Sequence, residues 1–432
     1  MKAVVIGGGI TGLSVGHALA KKGHQVTLLE RDARAGGLAG SFRAGDVWLE
    51  QFYHHIFKTD TALLAWIEEL GLSGRLIWRP SSIGFFRGDR IHPFTTPWDL
   101  LRFSPLSVVD RVKLGLAVRR FQRMEEWESL DGVTCRDWFS AHVSPATYRV
   151  VWEPLLRLKF GMECDRIPAA WIWGRIHPRA RSRSKGGMRE ELGYLDGGFE
   201  LMLEKMKEAL IARGVRIMEG TAAEYVIQER NRVRGLVAGG QEIFCDAVVS
   251  TVPIPSFLEI ASPLPREYHE KLAGIRYQAA ICLVLECAER VSPVYWLNIS
   301  DPSISFGGLI EHTNFVSPSH YGGNHIAYIF NYIREDDPLF RMSADDYYAF
   351  HEASLKRVNP SFRREWVRGK HLFRARHATV VYTLGYRETM PGFATPVKGL
   401  YMVNTSQIYP YDRNMNNCAA LGERFVKSVK LS

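Results

Sequence analysis

The first thirty residues alternate between short apolar runs and one helical repeat. Residues 3–6 form a compact apolar run, and residues 25–29 form a second one that ends just before Glu30. Between these runs, apolar residues from Leu13 to Leu19 recur at helical spacing. This order predicts a strand, a crossover helix and a second strand, the opening unit of a Rossmann-like sheet.

Apolar patterning predicts further elements along the chain. Residues 61–72 have the period of an amphipathic helix, and in residues 97–127 apolar positions alternate with basic ones in a longer helical stretch. Residues 223–253 predict a three-stranded meander followed by a buried strand that returns to the first sheet. Within a β-rich region at 256–395, the candidate strands are 279–286, 305–314, 325–332 and 378–384.

A glycine-rich turn joins the first strand to its helix. Gly7, Gly9 and Gly12 stand in GxGxxG spacing, with Ile10 and Thr11 at the start of the helix. The first glycine permits a tight turn, the second lets backbone N–H groups approach a pyrophosphate, and the third lets the helix pack on the strand. The helix N-terminus adds unpaired N–H donors and partial positive charge. The turn therefore predicts a dinucleotide site.

An acidic residue and a second glycine turn narrow the choice of dinucleotide. Glu30 lies 18 residues after Gly12, where its carboxylate would bind a ribose diol and repel a 2′-phosphate. A second glycine turn at 34–42 is not needed by a simple nicotinamide domain, whereas FAD continues past the pyrophosphate into a ribityl chain. We therefore predict FAD. The predicted contacts in this region are Gly7, Gly9, Ile10, Thr11, Gly12, Glu30, Arg31, Gly36, Gly37, Leu38 and Ala39.

The C-terminal region supplies a second flavin signal. A strand at 399–405 is followed by a polar turn and then by a helix. A helix N-terminus there would place partial positive charge where a reduced flavin gathers negative charge. We predict that Asn416 and Asn417, at the start of this helix, contact the flavin.

Composition limits the classes of function. The 432 residues carry a formal net charge of +9, which could steer an anionic substrate, an anionic membrane or nucleic acid. We discount nucleic acid, because no binding motif accompanies the charge.

The six cysteines show neither paired nor metal-ligand spacing, so we expect reduced thiols and no metal site. No apolar run is long enough to cross a bilayer, and the first strand leaves no room for a signal peptide. We expect a cytoplasmic protein, soluble or attached to the inner face of the membrane.

Tyr53, His54 and His55 are the candidate catalytic residues. They lie among aromatic residues just downstream of the glycine turns. Histidine titrates near neutral pH, so the pair could move protons beside a flavin. The alternative is structural, with one histidine buried and hydrogen-bonded and the other exposed.

Two other places are candidates for substrate contact. Residues 175–187 are rich in cations and bounded by glycines, which predicts a loop whose Arg179, Arg181 and Arg183 could hold a phosphate. The alternative is a solvated surface. His312 and Asn314 interrupt an apolar strand and could contact substrate or belong to a structural network.

The basic helical stretch at 97–127 also has two interpretations. It could lie on an anionic bilayer surface. Alternatively its apolar side is core and its basic side is solvated.

The glycine turns, Glu30, the Gly197-Gly198 turn and residues 399–422 resemble the FAD-dependent superfamily of amine oxidases, protoporphyrinogen oxidases and phytoene desaturases, to which UDP-galactopyranose mutase is related. The resemblance implies an α/β fold with a glutathione-reductase-like FAD-binding domain, a mixed β-sheet substrate domain and a helical insert. It also implies that Asn404 contacts the cofactor, at a position where the family usually has an acid. Cys418 lacks the surroundings of a flavin-attachment cysteine, so we expect non-covalent FAD.

The predicted domains are assembled from separate parts of the chain. We assign residues 1–80, 190–255 and 396–432 to the FAD-binding domain. Residues 81–189 would be a mostly helical insert, and residues 256–395 the substrate domain.

The main functional hypothesis is an FAD-dependent oxidoreductase. It would transfer hydride from a carbon of a small, anionic or lipid-linked substrate to flavin N5, with a base near Tyr53, His54 and His55. The second hypothesis is a redox-neutral isomerase of the mutase type acting on a sugar nucleotide. The third is a non-catalytic flavin-binding partner of a membrane enzyme. The oligomeric state is left open.

Overall fold

The structure, a computed structural model, describes residues 1–181 and 190–431. The strands are β1 (Lys2–Ile6), β2 (Gln25–Leu29), β3 (Ser41–Ala44), β4 (Val47–Glu50), β5 (Ile56–Phe57), β6 (Leu76–Pro80), β7 (Ile83–Arg87), β8 (Arg90–Pro93), β9 (Glu191–Leu195), β10 (Arg216–Met218), β11 (Ala223–Glu229), β12 (Arg232–Ala238), β13 (Gln241–Phe244), β14 (Ala247–Ser250), β15 (Tyr277–Cys287), β16 (Trp296–Ile299), β17 (Gly308–Glu311), β18 (His325–Ile333), β19 (Val367–Val380) and β20 (Leu400–Met402). The helices are α1 (Ile10–Lys21), α2 (Thr61–Glu69), α3 (Pro97–Arg102), α4 (Val108–Arg123), α5 (Cys135–His142), α6 (Pro145–Thr147), α7 (Glu153–Phe160), α8 (Ala169–Arg181), α9 (Phe199–Ala212), α10 (Ile254–Ile260), α11 (Arg266–Ala273), α12 (Ala344–Val358), α13 (Tyr386–Thr389) and α14 (Met415–Ser428).

A parallel sheet holds the two glycine turns. Its described strands run in the order β10-β2-β1-β14-β20, and every pairing between them is parallel. The central strands β1 and β14 are almost wholly buried, as expected for a parallel sheet covered by helices on its faces. This confirms the Rossmann-like α/β fold.

A larger mixed sheet forms the second part of the molecule. Its described strands run in the order β19-β15-β18-β17-β16-β7-β8. Most neighbours are antiparallel, and β16 pairs with β7 in parallel. Strands β7 and β8, predicted at the start of the helical insert, therefore belong to this sheet, and the helical segment begins at α3.

Helix α8 corrects the predicted arginine loop. Residues 175–181 are helical, because one side of the helix carries the buried side chains Trp173 and His177. Trp173 Nε1 donates to the Met124 carbonyl at 2.9 Å, and His177 Nδ1 lies 3.2 Å from the carbonyl oxygen of Phe121 on α4. Arg175 and Arg179 lie on another face of the helix, where they form the contacts described below. The remainder of the predicted loop, residues 182–189, lies outside the described residues.

Most other predicted elements are confirmed with shifted bounds. The 61–72 helix is α2, and the meander is formed by β11, β12 and β13. The strand predicted at 305–314 is wrong in extent, because His312 begins a 3-10 turn after β17. The strand predicted at 378–384 is also wrong in extent, since β19 starts at Val367 and ends at Val380. Charged residues at alternate positions of β19 interrupt the apolar pattern, so the first part of the strand is not recognisable from the sequence.

Among the described helices, none combines the length and the apolar character needed to span a bilayer.

Candidate active site

The two glycine turns lie against each other beyond β1 and β2. Gly36 N–H donates to the Gly8 carbonyl at 2.9 Å, and Gly9 pairs with Gly36 as an isolated bridge. Gly7 has a φ of +103°, which favours glycine. A Cβ at Gly12 would lie 1.8 Å from the Gly7 carbonyl oxygen, so only glycine fits there.

The start of α1 and Glu30 have the geometry of a dinucleotide site. Gly9 begins the helix, and no side chain caps it, which leaves the first-turn N–H groups directed outward. Glu30 is buried and accepts hydrogen bonds from the backbone N–H groups of Gly8 at 2.7 Å and Asp32 at 2.9 Å. Burial raises the pKa of Glu30, and these two donors oppose the rise. A pyrophosphate fits the helix end, and a ribose diol fits the remaining lone pairs of the carboxylate.

The N-terminus of helix α14 lies beside the N-terminus of α1. Cys418 forms a hydrogen bond with Thr11, and the hydroxyl of Ser14 donates to the Ala419 carbonyl at 2.7 Å. Residue numbers increase in the same direction along both helices at these contacts. Helices α1 and α14 therefore run parallel, with their N-termini side by side. The partial positive charge of both termini converges on one region.

Asn404 directs its carboxamide into the protein. Its Oδ1 accepts hydrogen bonds from the N–H and hydroxyl of Ser406, and its Nδ2 donates to the Val252 carbonyl at 3.0 Å. The side chain is buried and holds the turn after β20. It ties this turn to the segment after β14.

Asn416 and Asn417 also use their side chains within the protein. Asn416 Oδ1 accepts the N–H groups of Ala62 and Leu63 at 3.0 and 3.2 Å, which caps the start of α2. Asn417 Nδ2 donates to the Asp412 carbonyl at 2.7 Å. At this end of α14, backbone N–H groups are what the helix offers to a flavin.

Tyr53 and the two histidines lie together in an aromatic setting. The Tyr53 ring packs edge-on to Trp296 at 5.1 Å and against Phe330 at 4.7 Å between centroids. His55 Nδ1 lies 3.2 Å from the Tyr295 hydroxyl oxygen. His54 Nδ1 lies 2.6 Å from the carbonyl oxygen of Phe52, so this nitrogen carries the proton.

Burial makes both histidines neutral at physiological pH. Desolvation lowers the pKa of His54 to about 4, opposed by the hydrogen bond to Phe52. Desolvation, with Arg179 and His54 as further causes, lowers the pKa of His55 to about 3. Each histidine nevertheless keeps a partly exposed side chain. Both histidines are therefore strongly desolvated and yet keep some accessible surface.

A cation cluster, Lys159, Arg175, Arg179 and Arg413, lies beside these histidines. Asp412 forms ion pairs with Lys159 and Arg175. Desolvation lowers the pKa of Lys159 to about 7, against the opposing attraction of Asp412. The pKa of Arg179 is lowered by burial and then by Arg175. Glu190 and Asp60 are further carboxyl groups near Arg179, so the four cations outnumber the three carboxyl groups around them.

Arg413 is a member of the cation cluster with one unsatisfied buried nitrogen. Its Nη2 donates to the Tyr332 hydroxyl at 3.3 Å. Its Nε is buried and has no hydrogen-bond partner among the described residues. Arg413 directly precedes Asn414, the N-cap of α14, so it lies between the flavin end of the site and the other cations. A buried donor without an acceptor is costly, and a ligand oxygen would satisfy it.

Comparison with known proteins decides the family. The model of the flavin-containing amine oxidoreductase family matches residues 10–418. The chain belongs to this family. Family membership makes it a flavoprotein of an oxidoreductase class, and FAD is the flavin that the glycine turns and Glu30 fit.

Individual members of the family are distant from this chain. A Mycobacterium tuberculosis protein, provisionally named a flavin-containing monoamine oxidase, is 24% identical over 294 residues, which cover 62% of this chain and 60% of that protein. The chain thus spans about three fifths of this relative's length. An oxidoreductase from Methanosarcina mazei has a TM-score of 0.77 at 19% identity, over 99% of this chain and 100% of that one. A reduced UDP-galactopyranose mutase has a TM-score of 0.74 at 14% identity, over 99% and 94% of the two chains. These likenesses show the shared fold.

The predicted substrate residues fall in three different places. Arg179 belongs to the cation cluster, where its guanidinium lies 5.2 Å from the Phe57 ring centroid. Arg183 and the side chain of Arg181 lie outside the described residues. His312 and Asn314 take part in a structural network: His312 Nε2 lies 2.6 Å from the Tyr321 hydroxyl oxygen, and Asn314 Nδ2 donates to the Ser292 carbonyl at 2.8 Å.

Arg31 is exposed, and its Nε lies 3.7 Å from the carboxylate of Asp32. By contrast, Gly36 and Ala39 are buried in the second glycine turn, with Leu38 partly exposed beside them.

Sequence reasoning missed Lys159 and gave no role to Asp412 or Arg413. Lys159 stands between Leu158 and Phe160 at the end of α7 and is buried. A lone lysine in such an apolar run was the signal that could have found it, because a lysine is rarely fully buried unless it is paired.

Proposed function

We propose that this flavoprotein is an FAD-dependent oxidoreductase that removes a hydride from a carbon of an anionic, amphiphilic substrate. The observation that supports the proposal is the cation cluster beside the N-terminus of α14, in which the buried Nε of Arg413 has no acceptor in the part of the chain that the structure describes. An anionic group of the substrate, such as a phosphate, would supply that acceptor. Arginine forks match phosphate oxygens in geometry and charge.

The residues of the cation cluster would have different roles in substrate binding. Arg413 and Arg179 would bind the anionic group, while Asp412 would hold Lys159 and Arg175 in place through its two ion pairs. Tyr53, with Trp296 and Phe330, would form an apolar wall against the carbon that reacts. Exclusion of water from this part of the site would strengthen the electrostatic contacts between the substrate and the cation cluster.

FAD, when bound, supplies the hydride acceptor. The proton that leaves the substrate carbon needs a neutral base. The two histidines beside Tyr53 are the candidates, because the ion pair with Asp412 holds Lys159 as a cation. His54 and His55 are neutral but weakly basic, because desolvation lowers the pKa of both. An anionic substrate beside them would raise their basicity.

We also propose a cytoplasmic location for the reaction, at a membrane surface where an amphiphilic substrate would be held.

Inorganic pyrophosphate tests the anion site in the holoenzyme. It should perturb the visible flavin spectrum, and binding should weaken roughly 10- to 150-fold in Arg413→Gln and in Arg179→Gln, since a charge-assisted hydrogen bond contributes about 1.5–3 kcal/mol. Arg266→Gln is the matched control, because Arg266 is an exposed arginine of α11. Unchanged affinity in both site variants would contradict the assignment of the anion site.

Anaerobic bleaching of the oxidised flavin tests the reaction. Fractions of cellular anionic lipids should contain a compound that bleaches the flavin absorbance, and Arg413→Gln should slow the bleaching. If no lipid fraction bleaches it, the oxidoreductase is wrong, and the redox-neutral mutase and a non-catalytic flavin-binding role remain as the alternatives.

A redox-neutral mutase is the second candidate. The arginines of the cation cluster suit a diphosphate, and a reduced UDP-galactopyranose mutase shares the fold. A nucleotide sugar that turns over only on pre-reduced flavin, and leaves it reduced, would favour this candidate over the oxidoreductase.

A further inference from the structure

The outward face of α4 is apolar over its first two turns. Leu114, Ala117 and Phe121 are buried and define the inner side of this helix. Val108, Val112 and Leu116 follow one another at a spacing of four residues on the opposite side, and their exposed fractions are 66%, 49% and 61%. An ordinary surface helix has its polar residues on that side. Helix α4 thus has an apolar inner side in the core, as one of the two interpretations expected, and a second apolar strip that faces outward.

Helix α3 extends the same exposed surface. Trp98 and Leu101 are exposed, as is Val109 on α4. Arg111 joins the two helices, because its Nη1 donates to the Leu101 carbonyl at 2.7 Å and its Nε to the Leu106 carbonyl at 2.8 Å. The α3–α4 surface is therefore one patch: Trp98, Leu101, Val108, Val109, Val112 and Leu116.

Positive charge borders this patch. Residues 97–123 contain six cations and two carboxylates. Both carboxylates are engaged at helix starts: Asp99 accepts the Thr95 and Thr96 N–H groups, and Asp110 accepts the Ser107 hydroxyl. The last turn of α4 continues the outward face with arginines. An open groove of about 490 Å³ lies there, lined by Leu116, Arg119, Arg120, Arg123 and Met124.

We propose that the α3–α4 surface docks on an anionic lipid bilayer. The apolar side chains would enter the boundary between headgroups and acyl chains, and the arginines behind them would bind lipid phosphates. A second copy of this chain is a poorer occupant, because a two-fold contact would bring the same cations face to face. This inference does not depend on the proposed reaction.

Vesicle flotation of the holoprotein tests the proposal. The protein should float with vesicles of phosphatidylcholine containing phosphatidylglycerol, and it should not float with pure phosphatidylcholine. Replacing Arg119, Arg120 and Arg123 by Gln should weaken binding roughly a hundredfold, since each basic residue near an anionic surface contributes about fivefold. Raising the salt concentration should have a similar effect on the wild type.

The apolar side is tested separately by Val112→Glu with Leu116→Glu. Two carboxylates on the outward face should abolish flotation without loss of flavin, because neither side chain belongs to the core. The matched control is Ile211→Glu with Phe244→Glu, which charges two exposed apolar residues elsewhere and should bind like the wild type.

Equal flotation of the wild type and the α4 double variant would overturn the proposal. It would also be overturned if light scattering showed a dimer that the α4 double variant dissociates, with no vesicle binding, since a second copy would then occupy the surface.

Discussion

Gly9 and Gly12 belong to the same motif but are constrained by different partners. A Cβ at Gly12 would collide with the Gly7 carbonyl, whereas a Cβ at Gly9 would meet nothing nearer than the Gly37 Cα at 3.9 Å. Gly9 also has an ordinary φ of −71°. The protein itself therefore requires glycine at position 12, and only a bound pyrophosphate requires it at position 9.

This difference predicts two kinds of variant. Gly9→Ala should leave the stability of the flavin-free protein within about 0.5 kcal/mol of wild type while sharply weakening FAD binding. Gly12→Ala should lower both stability and FAD binding. Urea unfolding and flavin titration measure the two quantities, and Gly74→Ala, at a position with open space, serves as the control. If Gly9→Ala binds FAD normally, the predicted pyrophosphate position is wrong.

His55 makes the folded protein sensitive to acid. Its pKa is lowered from 6.5 to about 3 by burial, so the folded state stays neutral where the unfolded state takes up a proton. Above pH 6.5 neither state is charged and the residue contributes nothing to the pH dependence. As the pH falls from about 6 to 4, the unfolded state gains about 1.4 kcal/mol per pH unit from this histidine.

His55→Gln should therefore flatten the plot of unfolding free energy against pH between pH 6 and 4 by about 1.4 kcal/mol per unit. Chemical denaturation across that range measures the slope. His269→Gln, at an exposed position, should keep the slope of the wild type. An unchanged slope in His55→Gln would show that this imidazole is not desolvated.

Helix α14 contributes to the predicted flavin site, and its Asn416 also stabilises the start of the neighbouring helix α2. The carboxamide of Asn416 caps α2, where Asp60 provides no side-chain cap. Asn416→Ala should lower the unfolding free energy by about 1 kcal/mol, whereas Asn416→Asp keeps an acceptor and should lose less. Parallel titration with FAD separates this role from the predicted flavin contact. A loss of FAD affinity larger than the loss of stability would favour direct contact.

The elements that the sequence predicts well are those set by local pattern. The β1–α1–β2 unit, α2 and the meander depend on apolar period and on glycine position within a few residues. Helix α8 was mistaken for a loop because the burial of Trp173 and His177 against α4 is a long-range contact. The same contrast between local pattern and long-range contact holds for the site. The glycine turns are local motifs and were predicted, whereas Lys159, Asp412 and Arg413 come together only in the folded chain.

For the molecule as a whole, α8 connects the two proposed functional regions. Its Trp173 and His177 pack against α4, which carries the α3–α4 surface. Its Arg175 and Arg179, four residues apart on another face, belong to the cation cluster. Helix α8 therefore contacts the membrane-docking helix through one face and contributes to the cation cluster through another.

The order of the parallel sheet has a consequence for how the protein is made. Strand β14 lies between β1 and β20, so segments that are far apart in the sequence complete one nucleotide-binding sheet. A ribosome makes the glycine turns long before it makes β20 and α14. The nascent chain therefore carries an incomplete flavin site during the synthesis of all the residues between them. We expect FAD capture to follow the synthesis of α14 and to hold these distant segments together, so that flavin supply limits how much of the newly made protein matures.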